Sequence, residues 1–312
     1  MVKHYKNFNI KKLHRGSIIL IGNFDGLHLG HQKLFQLAQS YKKKYNLKIG
    51  VVNFDPMPKM FFNKKLKNFR LSNINQKIKL LSSLKVDFVI TKKFDKKFSK
   101  TKALNFISQI LNKKLSSKFI FVSNNFRFGN KREGNVNLLK RYEQLFNYKV
   151  VKPEPLIKSK KIVSSSLIRN LLEKGLLDKA NNLLKRNWTI QGVVKRGRQV
   201  GKKIGFPTCN IDIDDYVLAK PGVYAVKVLR KNSKKYLKGI ANLGYRPTFN
   251  QKKILLEVHL FNFSGNLYNK LLSVEFLKFI RKEKKFNNVN QLRSQIKKDL
   301  NIAKKTKWLN HK

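Results

Sequence analysis

The sequence predicts an α/β protein in two parts. A parallel sheet with helices comes first, and a small antiparallel β-barrel closed by a C-terminal helix follows. Three observations carry this expectation. The first half alternates apolar strand-like runs with segments of helical periodicity, as βαβ units do. After about Asn187 the runs become strands separated by Gly, Asn and Ser turns. At 312 residues, 41% of them hydrophobic, the chain can fill two ordinary cores.

In chain order, SIILIGNF reads as a buried strand. Leu34, Phe35, Leu37, Ala38 and Tyr41 then recur at helical spacing between His31 and Tyr45. KIGVVNF is a second strand, followed by the loop DPMPKMFF. Asn75 to Leu84 reads as helix and VDFVI as strand. Thr101 is placed to cap a helix through Leu111, and KFIFVS is a strand. GNVNLLKRYEQLF reads as helix and YKVVKP as a short strand. Ser164 opens a helix that Gly175 stops, and Leu176 to Arg186 forms another. The second part reads as WTIQGVVKRG, GVYAVKVLRK, KKYLKGIANLG, ILLEVHLFNF and KLLSVEFLKFI, with a helix from Val289 to Leu300. The expected domains are 1–186 and 187–312.

The formal charge of +54 invites a nucleic-acid reading. The basic residues, however, are 57 Lys against 13 Arg, and they spread over the whole chain. Asn, Ile and Phe are abundant too, so AT-rich coding accounts for more of the charge than a dedicated module, which concentrates charge and favours Arg. We expect weak attraction to polyanions and no specific nucleic-acid partner. One cysteine, Cys209, excludes an internal disulfide and a cysteine-rich zinc site. No apolar run approaches the ~18 residues of a membrane span, and the N-terminus lacks the apolar core of a signal peptide. The expectation is a cytoplasmic protein with no membrane partner. Oligomeric state is not legible.

GNFDGLHLGH, residues 22–31, follows the first strand and opens the first helix. A helix start binds anions through unpaired N–H groups. Gly26 and Gly30 let a ligand approach the backbone, and His28 and His31 add donors. A metal pair is the weaker reading, because two histidines without a third clustered ligand leave a zinc set incomplete.

This segment resembles the H-x-G-H signature of nucleotidylyltransferases, and its longer form is similar to the bacterial bifunctional riboflavin kinase/FAD synthetases. The later segments resemble that family in order. VNFDPMPKMFF looks like its flavin-side loop, with Phe54, Pro56, Pro58 and Phe62 as ring contacts. NNFRFGNKREG looks like a loop whose Asn125 meets phosphate or metal. VSSSLIRN resembles a signature that contacts ATP phosphates, matched by Ser164, Ser165 and Arg169. The resemblance implies a Rossmann-like nucleotidylyltransferase domain that joins FMN and ATP into FAD and pyrophosphate. His28, His31 and Arg169 would stabilise phosphate charge, and Gly22, Phe24, Asp25, Gly26 and Gly30 would line the nucleotide.

GVVKRGRQVGKKIGFPTCNI resembles the riboflavin kinase signature. It implies a β-barrel kinase domain that phosphorylates riboflavin to FMN with ATP and Mg²⁺. Gly197, Gly201 and Gly205 would form the close-approaching loop, and Thr208 and Asn210 would lie at the ATP–Mg²⁺ site as hard oxygen ligands. GVYAV, ANLGYRPTF and LEVHLFNFSGNLYN continue the resemblance. Glu257 matches the catalytic glutamate, and Arg281 matches a position near flavin and nucleotide. Alternation in LEVHLF puts Glu257 and His259 on one face, either a solvent face or a site wall. Cys209, where Ala is common, is expected to pack as a small residue. Several other departures replace an acid with Asn, as at Asn135 and Asn262.

Overall fold

The computed structural model describes residues 2–197, 199–213, 215–247 and 252–306. The chain divides into two compact units, Met1–Leu66 with Ile74–Ser164, and Lys67–Asn73 with Ser165–Lys312.

The first unit holds one six-stranded sheet of β1 (Lys3–Tyr5), β2 (Ile18–Ile21), β3 (Ile49–Asp55), β4 (Phe88–Lys93), β5 (Phe119–Phe121) and β6 (Lys149–Val151). The order is β1-β4-β3-β2-β5-β6, and every neighbouring pair is parallel. Strands covered on both faces read as continuous apolar runs, and that is how IILI and FVI read. On one face Ile18, Leu20, Val51 and Val89 pack under α1 (Leu29–Tyr45) and α2 (Ile74–Ser83). On the other, Ile19, Ile21, Val52 and Ile90 pack under the helical segment Phe106–Lys114.

The second unit is a closed antiparallel barrel of β7 (Thr189–Lys195), β8 (Cys209–Asp212), β9 (Gly222–Arg230), β10 (Tyr236–Pro247), β11 (Lys252–Leu260) and β12 (Leu271–Arg281). Its order is β7-β8-β11-β10-β9-β12. The helix α5 (Val289–Lys305) lays Ile296, Leu300 and Ala303 over Val223, Ala225 and Ile240. Two further helices, α3 (Ser165–Glu173) and α4 (Leu177–Leu184), belong to this unit. Gly175, at φ +74°, supplies the left-handed turn between them.

Several expected bounds shift for local reasons. Thr101 is not a cap. Lys102 occupies that position before Ala103–Asn105, and Asp95 caps the preceding turn by accepting from Phe98 N–H at 2.8 Å. In GNVNLLKRYEQLF only Val136–Arg141 is helical. Asn135 caps it through Leu138 N–H, and the chain then turns so that Glu143 accepts from Val150 N–H. Strands β1 and β8 are not legible from the pattern, because KHY and CNID carry no apolar run. Thr248 and Phe249 of ANLGYRPTF lie outside the described residues.

His4 on the edge strand β1 is half-buried, and His14, at the end of the turn Lys12–His14, is buried. His4 Nε2 meets Thr91 Oγ1 at 2.9 Å, and His14 Nδ1 meets the Tyr5 hydroxyl at 2.8 Å while its ring stacks on Phe88. Burial, then nearby lysines, holds both below the ordinary histidine range. Their pKa values are depressed on folding, so the unfolded chain binds more protons and stability is lost as pH falls below about 6.5. Thermal melts between pH 7.5 and 5 should show a falling midpoint, with a shallower fall in a His4→Asn/His14→Gln variant. An equal slope in the variant would place the titrating groups elsewhere.

Candidate active sites

At the carboxyl end of β2, where ligands of open α/β sheets bind, residues 22–28 turn sharply into α1. Phe24, Gly26 and Leu27 take φ of +46°, +77° and +39°. His28 is the N-cap of α1, its Nδ1 accepting from His31 N–H at 3.4 Å. The two imidazoles stack with centroids 3.7 Å apart. Gly30 is required beside them, because a Cβ there would sit 3.0 Å from the Val163 carbonyl and 3.3 Å from the His28 ring. Asp25 and His28 are buried. The Phe24 ring lies over Gly22 and against His31 and Phe35, so the side chain serves the core. Asn53, near the end of β3, is fully buried, and its amide has no hydrogen-bond partner among the described residues.

A second feature of this unit is an aromatic slot of 120 Å³. Phe54, Pro58 and Phe62 meet there as the sequence suggested; Pro56 and Asn125 are not on its wall. Asn125 is exposed and accepts from the Ser123 hydroxyl. Sequence reasoning missed Phe94, Phe98, Phe126 and Phe128, which complete the slot, with Arg127, Lys131 and Arg132 at its rim. Their signal was the spacing of Phe94 and Phe98 within KKFDKKFSK, hidden by the lysines around them.

Ser164 ends the first unit, and Ser165 opens α3 in the second. Arg169, on α3, is buried. Its Nε donates to the Phe69 carbonyl at 2.6 Å, and its guanidinium carbon lies 3.7 Å from the centre of the Phe69 ring.

In the barrel, register builds the site. Asn210 on β8 pairs with Glu257 on β11, Glu257 with Asn242 on β10, Asn242 with Val223 on β9, and Val223 with Arg281 on β12. All five line one cavity of 410 Å³, together with Gly201, Thr208 and His259. The Glu257–His259 face is therefore a site wall. His259 Nδ1 shares a hydrogen bond of 2.8 Å with the Pro207 carbonyl. Arg281 is held by a bidentate pair with the buried Asp299 of α5. Turned to give its NH₂ to Glu257 Oε1 at 3.1 Å, the Asn210 amide accepts from Gly197 N–H at 3.2 Å. Gly205, at φ +84°, turns the chain toward Phe206. A second cavity, of 470 Å³, lies between Lys202, Pro207, Phe263 and Tyr268, and it shares Thr208 with the first. Cys209 is part of its wall, and burial raises its thiol pKa, keeping it a neutral packing group.

Comparison with known proteins follows the same division. A FAD synthetase family model matches residues 10–167 and a riboflavin kinase model matches residues 184–307. A bifunctional riboflavin kinase/FMN adenylyltransferase of Buchnera aphidicola subsp. Schizaphis graminum is 42% identical over 300 residues, 95% of this chain and 96% of its own. The chain belongs to the bifunctional riboflavin kinase/FMN adenylyltransferase family. Members from Haemophilus influenzae and Escherichia coli K12 are 40% and 37% identical, over 95% and 91% of this chain and 96% and 90% of theirs. A crystal structure described as a macrolide-efflux protein from Streptococcus pneumoniae superimposes with a TM-score of 0.85 at 27% identity, covering 98% of this chain and 99% of that one. Among the described residues of this family member, no helix is long and apolar enough to cross a membrane.

The barrel site of this family member depends on a glycine that the sequence reading left among its loop glycines. A Cβ on Gly197 would fall 1.6 Å from the Asn210 amide nitrogen. Gly197→Ala should push Asn210 away from Glu257 and cost about 1–3 kcal/mol, read as a lower urea midpoint for the barrel. An unchanged midpoint would mean that the loop gives way instead.

Proposed function

We infer that the protein phosphorylates riboflavin to FMN in its barrel and adenylylates FMN to FAD in its N-terminal part, with the catalytic division at residues 186/187. The observation that carries this reading is the five-strand row that sets Asn210, Glu257, Asn242 and Arg281 in one cavity, beside a second cavity joined to it at Thr208. Two cavities that share Thr208 suit a two-substrate transfer. Riboflavin occupies the cavity that holds Glu257, ATP the one lined by Lys202 and Tyr268, and the γ-phosphate reaches Thr208.

Glu257 accepts the proton of the riboflavin 5′-hydroxyl as its oxygen attacks the ATP γ-phosphorus, and ADP departs. Asn210, on the neighbouring strand, fixes the Glu257 carboxylate. The Asn210 amide oxygen, the Thr208 hydroxyl and the Glu257 carboxylate line one cavity and are hard oxygen donors of the kind Mg²⁺ takes. Thr208 and Asn210 would hold the ion, which when bound would offset triphosphate charge.

In the second reaction an FMN phosphate oxygen attacks the ATP α-phosphorus and pyrophosphate leaves. That nucleophile is already an anion, so no general base is needed. His28, His31, the start of α1 and Arg169 supply charge and orientation. Asp25, Ser164 and Ser165 contribute nucleotide contacts, and Asn125 meets phosphate from its exposed loop. The aromatic slot, smaller than an enclosed ligand site, offers a wall for the flavin ring, and its cationic rim suits the FMN phosphate. These substrates and the single cysteine agree with a cytoplasmic, reducing setting, with small molecules as the partners.

His28→Ala should lower FAD formation from FMN by about 10²-fold or more and leave FMN formation from riboflavin within about twofold. Glu257→Gln should do the reverse, lowering FMN formation by about 10²–10⁴-fold while FAD is still made from supplied FMN. Chromatographic separation of riboflavin, FMN and FAD reads both. A soluble, folded variant that loses both reactions would break the two-site assignment.

A further inference from the structure

Thr208 carries the hydroxyl that both barrel cavities share, yet Pro207 and Thr208 are exposed and precede the first residue of β8. The pairing of β8 with β11 begins at Cys209–Val258. Continued in the same register, it would oppose Thr208 to His259 and Pro207 to Leu260. Proline has no N–H to give to a ladder, so that rung is missing. A segment without it needs another hold, because a hydroxyl serves a transition state only when its place is fixed in advance.

A side chain supplies the missing donor. His259 Nδ1 lies 2.8 Å from the Pro207 carbonyl. A carbonyl oxygen only accepts, so the hydrogen of this bond sits on Nδ1. The His259 ring also meets the Phe206 ring edge-on, with centroids 5.7 Å apart. Gly201 holds the same segment. Phe206 N–H donates to the Gly201 carbonyl at 2.8 Å, and a Cβ on Gly201 would strike the Phe206 carbonyl and come within 3.3 Å of the Thr208 hydroxyl. Phe206–Thr208 is thus held by the Gly201 backbone and by one imidazole of β11. That imidazole is two residues from Glu257, on the same face of the strand, and lines the same cavity.

We propose that His259 is a positioning residue for phosphoryl transfer: its bond to the Pro207 carbonyl fixes the Thr208 hydroxyl at the place shared by the two cavities. This rests on the assignment of the γ-phosphate to Thr208.

The test compares His259→Asn, whose amide N–H stands where Nδ1–H stood, with His259→Leu, which has a similar outline and no donor. Each is assayed for riboflavin phosphorylation as a function of ATP, for riboflavin binding by quenching of flavin fluorescence, and for FAD formation from FMN. His259→Leu should lower kcat for riboflavin phosphorylation by about tenfold. Riboflavin Kd and FAD formation should stay within about twofold of wild type. His259→Asn should restore kcat to within about threefold. In a Thr208→Ala background, adding His259→Leu should cost nothing further. The wild-type protein gives a reading that needs no folded Leu variant. Two-bond ¹H–¹⁵N spectra at about pH 8.5, above the ordinary histidine range, should show His259 as the Nδ1–H tautomer, its signals assigned by their loss in His259→Asn. The Nε2–H tautomer would overturn the proposal. So would a His259→Asn as slow as His259→Leu, a riboflavin Kd that rises as kcat falls, or losses that multiply with Thr208→Ala. A normal His259→Leu beside a crippled Thr208→Ala overturns the proposal alone. If Thr208→Ala itself phosphorylates riboflavin normally, the γ-phosphate assignment fails and the proposal falls with it.

Discussion

Everything chemical in the barrel depends on strand register. Side chains alternate across a sheet, so a slip of one residue in any of the five strands would turn its member of the row out of the cavity. The row running Asn210, Glu257, Asn242, Val223 and Arg281 is continuous because each pair is directly opposed. Closure of the sheet fixes these registers, since in a barrel strand number and stagger are linked. The hydrogen-bond ladder does the positioning work that elsewhere falls to networks of polar side chains. Glycine at 197 and at 244 follows from the same constraint. A Cβ at Gly244 would strike Glu283, whose carboxylate takes a bond from Asn242.

The N-terminal site uses a different physics. Its anchor is the abrupt passage from β2 into α1, where positive φ angles at Phe24, Gly26 and Leu27 and a histidine cap set the start of the helix. Two imidazoles stacked at 3.7 Å hold one another's rings in place beside the helix start.

Legibility in the sequence followed the length and periodicity of each element. Strands β2, β3 and β4, buried on both faces, and the long helices α1 and α5 were readable because four or more residues repeat one pattern. Strand β1 pairs only through Lys3, His4 and Tyr5, and β8 reads CNID with polar residues at two of its four positions, so neither carries an apolar run. At the sites, Glu257 and Asn210 were found through motif resemblance, and spacing alone left Glu257 on either a solvent face or a wall. Phe94 and Phe98 sit among lysines and read as surface. Phe69 and Arg169 lie 100 residues apart in sequence, and no local rule joins them.

The strap Lys67–Asn73, which belongs to the barrel's unit, has a consequence in time. Its anchor at Asp215 lies 145 residues beyond Arg70. During synthesis the strap and the helix bearing Arg169 are therefore both made before the loop that holds the strap exists. At ordinary rates of about 5–20 residues per second, that wait lasts several seconds. A nascent chain could complete its first sheet in this interval while the segment Lys67–Asn73, already made, still lacks its anchor in the second unit.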